Sequence, residues 1–287
     1  MCEYLNWLVS HVTDAEMQMN AVERIEHYRK LPSERYEGLR RPPATWPDEG
    51  DIKLEGVSAR YDEHLDTVLK NATIHLKKGQ KIGICGRTGS GKSSLVLALF
   101  RMIDTFSGRI LIDGFDISDI PLTILRRRLA IIPQDPVLFS GSVRFNLDPV
   151  GDTSDEKLWE VLEITQLKYV VMDLDGKLEA MVSEGGENFS VGQRQLFCLA
   201  RAFLRKTKIM VMDEPTASVD IETDALIRKV VAIAFAESTV LTIAHRVSSI
   251  LDSDTVLVLG GGEILEYDSP GNLLKQEDSV FSSLVRG

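Results

Sequence analysis

The stretch Gly86-Arg87-Thr88-Gly89-Ser90-Gly91-Lys92-Ser93 constrains this chain more than any other. It fits G-x-x-x-x-G-K-[ST] without a mismatch. In that pattern the glycines let backbone N–H groups close on a phosphate, the lysine reaches the β- and γ-phosphates, and the final hydroxyl meets Mg²⁺. The flanks agree. Lys81-Ile82-Gly83-Ile84-Cys85 is an apolar run that predicts a buried strand, and Ser94 to Arg101 predicts a helix with Leu95, Leu97, Leu99 and Phe100 on its apolar faces. The N-terminus of that helix adds the positive end of its dipole to the cradle. A chance glycine-rich turn would not need this strand on one side and this helix on the other.

Composition limits what surrounds the loop. The chain has 287 residues, enough for one large domain or two small ones, and its 44% hydrophobic and 26% charged residues suit a globular protein with a real core. A net charge of −10 argues against a nucleic-acid partner. Cys2, Cys85 and Cys198 have no metal-ligand spacing and form no disulfide framework, which points to a reducing compartment. No run of eighteen apolar residues spans a bilayer, and the start, interrupted by Glu3, Asp14 and Glu16, does not read as a signal peptide.

Residues 1–31 predict a helix. Leu5, Leu8, Val12, Ala15, Met19, Val22 and Ile25 recur at three- and four-residue steps as an apolar stripe. The abrupt start, with no N-cap before Tyr4, leads us to expect a longer natural chain, with Trp7 near a membrane interface. An amphipathic helix packed on its own domain is the plainer alternative. Residues 32–49, with Pro32, Pro42, Pro43 and Pro47, predict a linker. Strands are expected from Ile52 towards Tyr61, over 68–76 and over 109–112. Tyr61, just upstream of the loop, offers a flat ring for a base, worth roughly 1–3 kcal/mol in stacking, although a tyrosine at a strand end is usually half-buried packing.

Further residues gather at predicted strand ends. Leu129–Ile132 is a buried strand followed by Gln134, whose amide can offer its oxygen to Mg²⁺ and its N–H to a water. Residues 136–185 lose the strand pattern and predict a helical insert, which leads to Ser190-Val191-Gly192-Gln193 with Ser190 as N-cap of a strong helical run. Ile209–Met212 predicts a buried strand that delivers Asp213 and Glu214 to a C-terminal sheet edge, where open α/β sheets bind ligands. Asp213 would hold Mg²⁺ and Glu214 would polarise an attacking water as general base. Thr239–Ala244 predicts another buried strand that delivers His245, which can meet a γ-phosphate or steady Glu214. A closing strand pair flanks Gly260-Gly261-Gly262, and two short helices finish the chain.

In this order the motifs resemble the ATP-binding cassette family over about residues 50–287. Tyr61 matches the aromatic A-loop, residues 86–93 Walker A, Gln134 the Q-loop, Ser190–Gln193 the signature, Asp213-Glu214 Walker B with the catalytic glutamate, Ser218-Val219-Asp220 the D-loop and His245 the switch histidine. The resemblance implies an ATPase with a P-loop NTPase fold: a RecA-like α/β core, a small antiparallel β subdomain and an inserted α-helical subdomain over about 136–205. It implies Tyr61, residues 86–93, Ser94, Gln134 and Asp213 on ATP, with Ser93, Gln134 and Asp213 on Mg²⁺. It assigns catalytic roles to Lys92, Gln134, Glu214 and His245.

The runs Asn188–Phe203, Trp46-Pro47 and Asp135–Arg144 are similar to the second nucleotide-binding domain of subfamily C transporters. Phe189, Phe197 and Ala202-Phe203 look most like the sulfonylurea receptors, regulatory subunits of potassium channels. Residues 1–31 would then be the cytoplasmic end of a last transmembrane helix, in a multi-pass protein, with this domain on the cytoplasmic side of the plasma membrane. The implied partners are a second nucleotide-binding domain of the same protein, paired head to tail around ATP, its transmembrane domains and an inward-rectifier potassium-channel subunit.

The signature departs from the family's Leu-Ser-Gly-Gly-Gln, with Phe189 and Val191 in place of Leu and the first Gly. The Val191 Cβ should crowd a phosphate and weaken the partner's site, leaving this chain's own P-loop site as the hydrolytic one. Two readings share this chemistry, a channel-gating nucleotide sensor and an organic-anion exporter's motor. A soluble cassette ATPase of DNA repair or translation sits poorly with the acidic balance, and a P-loop kinase leaves Ser190–Gln193 and His245 unexplained.

Overall fold

A computed structural model describes residues 2–31, 34, 37–213, 221–243, 250–276 and 278–286. The chain divides into two compact units, Met1–Tyr36 and Glu37–Gly287. The first is a single helix, α1 (Cys2–Arg29), with Glu26 paired to Arg29 in its last turns. Leu5, Leu8, Val12, Met19, Val22 and Ile25, the residues of the expected stripe, are exposed. Among the described residues no helix is long and apolar enough to cross a membrane.

The second unit is layered. Strands β1 (Ile52–Ala59), β2 (Leu69–Leu76), β3 (Lys81–Cys85), β4 (Thr105–Ile112), β5 (Phe115–Asp116) and β6 (Leu129–Ile132) come first, interrupted by helices α2 (Lys92–Leu99) and α3 (Leu122–Arg128). The two-residue strands β7 (Gly141–Ser142) and β8 (Met181–Val182) bracket α4 (Val143–Leu147), α5 (Asp155–Ile164) and α6 (Lys168–Met172). Then follow α7 (Val191–Leu204), β9 (Ile209–Asp213), α8 (Ile221–Ala234), β10 (Thr239–Ile243), β11 (Thr255–Gly260) and β12 (Glu263–Asp268), with closing helices at Pro270–Lys275 and Val280–Arg286. A four-stranded antiparallel sheet runs β2-β1-β4-β5 and a six-stranded sheet β12-β11-β3-β10-β9-β6. In the six-stranded sheet only β12 is antiparallel to its neighbour.

The sequence explains these layers. β2 alternates, with Leu69, Ala72, Ile74 and Leu76 buried on one face, as an antiparallel sheet with one covered face requires. β9 is apolar at every position but its last because both faces are covered, and successive side chains leave on opposite sides. Ile209 and Val211 join the core shared with the antiparallel sheet and α2. Met210 and Met212 join a second core with Leu158, Leu162, Phe197 and Leu199 of the helical part. One strand therefore links both cores and carries Asp213 at its end.

The structure adds to two expectations. The segment 32–49, expected as a linker, is tethered to β4 and its following turn over its second half. Trp46 is 2% exposed, and its indole Nε1–H donates to the Ile112 carbonyl of β4 at 3.0 Å. The Asp113 carboxylate accepts from the backbone of Asp48, Glu49 and Asp51. Prolines forbid regular structure in this segment, but they do not prevent one large side chain from anchoring it. The strand expected at 109–112 begins at Thr105, because Ser107 and Thr105 pair with Ser58 and Ala59 of β1 although their side chains stay exposed.

Candidate nucleotide site

β3 delivers the glycine-rich loop to the C-terminal edge of the parallel sheet. Gly86 has φ +149°, and a Cβ there would lie 2.2 Å from the Leu259 carbonyl oxygen and 2.6 Å from Ser90 Oγ. Only glycine fits where the loop passes this close to the end of β11. Arg87, Thr88 and Gly89 form its exposed tip, and the loop ends at Gly91, the N-cap of α2, which supplies no side-chain cap. The first-turn N–H groups of α2 are thus left for an anion rather than satisfied within the protein.

Lys92 is 7% exposed, and its ammonium curls back to donate to Gly86 O at 2.8 Å and Arg87 O at 3.2 Å. It is therefore held inside the loop it serves, one short swing from a phosphate seated there. Ser90 is 4% exposed and its Oγ has no hydrogen-bond partner. A glycine cradle, an uncapped helix start, a cation bound only to carbonyls and an orphaned buried hydroxyl fit a polyphosphate. Ser93 is exposed at the start of α2. Cys85, just before the loop, is a buried thiol pushed up to about 12 by burial, against the opposing pull of Lys92. It stays neutral at physiological pH and is inert beside the cradle.

Tyr61 stands beyond the end of β1 with its ring 51% exposed, and its hydroxyl shares a 3.0 Å hydrogen bond with Ser94 Oγ on α2. The ring is thus fixed to the helix that follows the loop. The neighbouring Arg60 guanidinium lies 4.9 Å over the Phe106 ring. The Tyr61–Ser94 bond was not legible in the sequence, because it joins the segment after β1 to a helix thirty-three residues further along the chain.

Parallel register aligns the remaining strand ends. Ile84 of β3 pairs with Ile243 of β10, Ile243 with Asp213 of β9, and Met212 with Ile132 of β6. At roughly 4.8 Å per strand, Asp213 lies about 10 Å along the edge from the root of the loop. Gln134, exposed just past β6, follows on the next strand. Glu214, Ser218, Val219, Asp220 and His245 lie outside the described residues. Among the described residues no group of His, Cys, Asp and Glu forms a ready-made metal cage.

Ser190–Gln193 starts α7 in the helical part. Ser190 Oγ accepts from the Gln193 N–H at 3.2 Å, and Gln193 Oε1 accepts from the Ser190 N–H at 3.0 Å, a reciprocal capping box. Val191 and Gly192 fill the first turn between them. Phe189 is buried edge-on against Phe197, with centroids 5.1 Å apart, and so anchors the start of the helix.

The family model described as ABC transporter matches residues 69–217, from β2 through the P-loop and the capping box to beyond β9. The chain belongs to the ABC transporter family. Its similarity is to subfamily C. It is 59% identical over 99% of its length to ATP-binding cassette sub-family C member 8 of Rattus norvegicus and of Homo sapiens, and covers 18% of either relative. It is 50% identical over 98% of its length to the metal resistance protein YCF1 of Saccharomyces cerevisiae, of which it covers 19%. The chain thus spans about a fifth of these relatives. A bacterial Atm1-family ABC exporter with ATP bound superposes over 94% of the chain and 47% of the exporter chain, with a TM-score of 0.81 and 27% identity. The α/β core, antiparallel β subdomain and helical part described above are therefore those of an ABC ATPase domain.

Proposed function

We propose that this chain is the second nucleotide-binding domain of a longer subfamily C membrane protein, that it binds and hydrolyses Mg-ATP, and that the whole protein is a nucleotide-sensing regulator of a potassium channel. The observation that carries the ATPase reading is the P-loop, with Lys92 held on Gly86 O and Arg87 O beside the uncapped start of α2.

In this reading the loop N–H groups and Lys92 take the β- and γ-phosphates, and Tyr61 stacks on the adenine. Ser93, Asp213 and Gln134 would hold Mg²⁺, which neutralises charge developing on the phosphates. Gln134 reports on the γ-phosphate. Glu214 polarises the water that displaces ADP, and His245 meets the γ-phosphate or steadies Glu214. The other nucleotide-binding domain of the same protein closes the site head to tail with its own signature. Ser190, Val191, Gly192 and Gln193 serve the partner's nucleotide, and Asp220 lies in the contact between domains. The α1 unit continues a transmembrane domain, with this domain on the cytoplasmic side of the plasma membrane.

The 59% identity to sub-family C member 8, a sulfonylurea receptor, supports the regulator. The 50% identity to YCF1 keeps an exporter's ATPase motor as the second reading. Purification of the full-length protein from membranes should bring down a stoichiometric inward-rectifier potassium-channel subunit. ATP-driven uptake of organic anions into inside-out vesicles, without a channel partner, would replace the regulator by the exporter. In either assembly Glu214→Gln should lower turnover by about a hundredfold or more with ATP binding retained, and unchanged turnover would remove Glu214 from the chemistry.

A further inference from the structure

Arg201 is a half-buried cation with no carboxylate in contact among the described residues. Its three kinds of N–H each meet a different acceptor. Nε donates to Asn146 O, Nη2 donates to Asn146 Oδ1 at 2.7 Å, and Nη1 donates to Val137 O at 3.2 Å. The guanidinium also lies 5.7 Å over the Phe139 ring. Asn146, 1% exposed, completes the hub. Its Oδ1 accepts from Phe139 N at 2.9 Å, and its Nδ2 donates to Phe139 O at 2.8 Å and Ser142 O at 3.1 Å. Every acceptor on the guanidinium belongs to residues 137–146, the segment that continues directly from Gln134. A lysine, a point charge without the planar fork, cannot reach all three acceptors.

The same segment is braced at the other end of α7. Leu138 is fully buried, and it packs so closely on Gly186 that a Cβ there would lie 2.9 Å from Leu138 Cβ. Gly186 precedes the capping box by a few residues, and Arg194 Nη1 donates to the adjacent Gly185 O at 3.0 Å. Arg201 is three turns further along α7, about 16 Å from Ser190 at 1.5 Å per residue. The loop after Gln134 is therefore clamped to both ends of the helix whose first turn is Val191-Gly192-Gln193.

We propose that Arg201, with Asn146, is a positioning residue that makes the Gln134 loop and the Ser190–Gln193 helix start move as one body, and so couples the nucleotide on this chain's own P-loop to the nucleotide served by its signature. The inference rests on the two-site ATPase reading above. Packed elements of this kind shift as units, so a displacement of Gln134 on γ-phosphate contact reaches Ser190 with little loss. Arg201 touches neither nucleotide.

The test is a mutant cycle on the steady-state ATPase of the full-length protein in membranes. Gln134→Ala and Ser190→Ala are made singly and together, first in the natural background and then with Arg201→Lys. In the natural background the double variant should depart about tenfold in kcat from the product of the single effects. With Arg201→Lys the departure should shrink to about twofold or less, with KM for ATP unchanged. A merely structural arginine would lower all rates and leave the departure intact. If Arg201→Lys does not assemble, Asn146→Ser, which removes the amide bonds to Phe139 and Ser142, takes its place with the same readout. An equal departure in both backgrounds overturns the proposal, as does independence of Gln134 and Ser190 in the natural one. Absence of ATP binding by the natural protein would instead overturn the ATPase reading on which it stands.

Discussion

Tyr61 offers the sharpest test of the nucleotide site, because its ring and its hydroxyl make separable contributions. The ring is half exposed beside the P-loop, and the hydroxyl bonds Ser94 Oγ at 3.0 Å. Tyr61→Ala removes both. Stacking of a base on an aromatic ring contributes about 1–3 kcal/mol, so ATP affinity should fall roughly 5- to 150-fold. Tyr61→Phe keeps the ring and removes only its tether. A neutral hydrogen bond contributes about 0.5–1.5 kcal/mol, and this one is partly exposed, so the loss should be at the lower end, roughly two- to threefold. Ser94→Ala removes the same tether from the other side and should match it. The double variant Tyr61→Phe with Ser94→Ala should be no weaker than either single one, since the bond can be lost only once. Equilibrium titration of the 287-residue chain with a fluorescent ATP analogue, displaced by ATP, measures all four. Natural affinity in Tyr61→Ala would refute stacking. A Tyr61→Phe as weak as Tyr61→Ala would refute it differently, by making the hydroxyl the binding group.

Trp46→Phe should lower the melting temperature by about 2–10 °C, because it leaves the Ile112 carbonyl without its indole donor at a cost of about 1–3 kcal/mol in a unit of this size. An unchanged melt by differential scanning fluorimetry would mean that residues 40–50 hang free of β4. Cys85 and Cys198 are both buried with their thiol pKa raised by burial, so maleimide at neutral pH should label neither in the folded chain and both after unfolding in urea. The Cys85 thiol keeps its proton more tightly folded than unfolded, where it titrates near 9.0. Its contribution to stability is therefore complete below pH 9 and should drain away between pH 9 and about 12. A denaturation midpoint equal for the natural chain and Cys85→Ala in its pH slope across that window would contradict the burial.

The strands that carry the candidate site were legible one at a time. A short apolar run that ends in a carboxylate, an amide or a glycine loop is a local pattern, and β3, β6 and β9 appear where Lys81–Cys85, Leu129–Ile132 and Ile209–Met212 announced them. The helix start at Ser190 was equally local, since its capping box closes within four residues. The anchor within the expected linker was not legible, for the opposite reason. Prolines at 42, 43 and 47 describe the backbone of that segment, whereas its anchor is a contact between Trp46 and Ile112, sixty-six residues apart. Arg201 escaped notice in a helical run of otherwise apolar residues, where an arginine reads as the solvent-facing position. In the fold it is turned inward on Asn146 and Val137.

By itself, then, the sequence determined the family and its local parts: a glycine-rich loop, the helix start at Ser190 and the strands β3, β6 and β9. Each is encoded by residue type and spacing within a few positions, and close steric demands such as that at Gly86 leave no alternative residue. Only the tertiary structure decided which parts meet. Parallel register aligned Asp213 and Gln134 with the root of the loop, long-range side-chain contacts joined Tyr61 to Ser94 and Trp46 to β4, and the Arg201–Asn146 hub clamped the Gln134 loop to the signature helix. Such contacts follow from how layers pack, and packing depends on the whole chain at once.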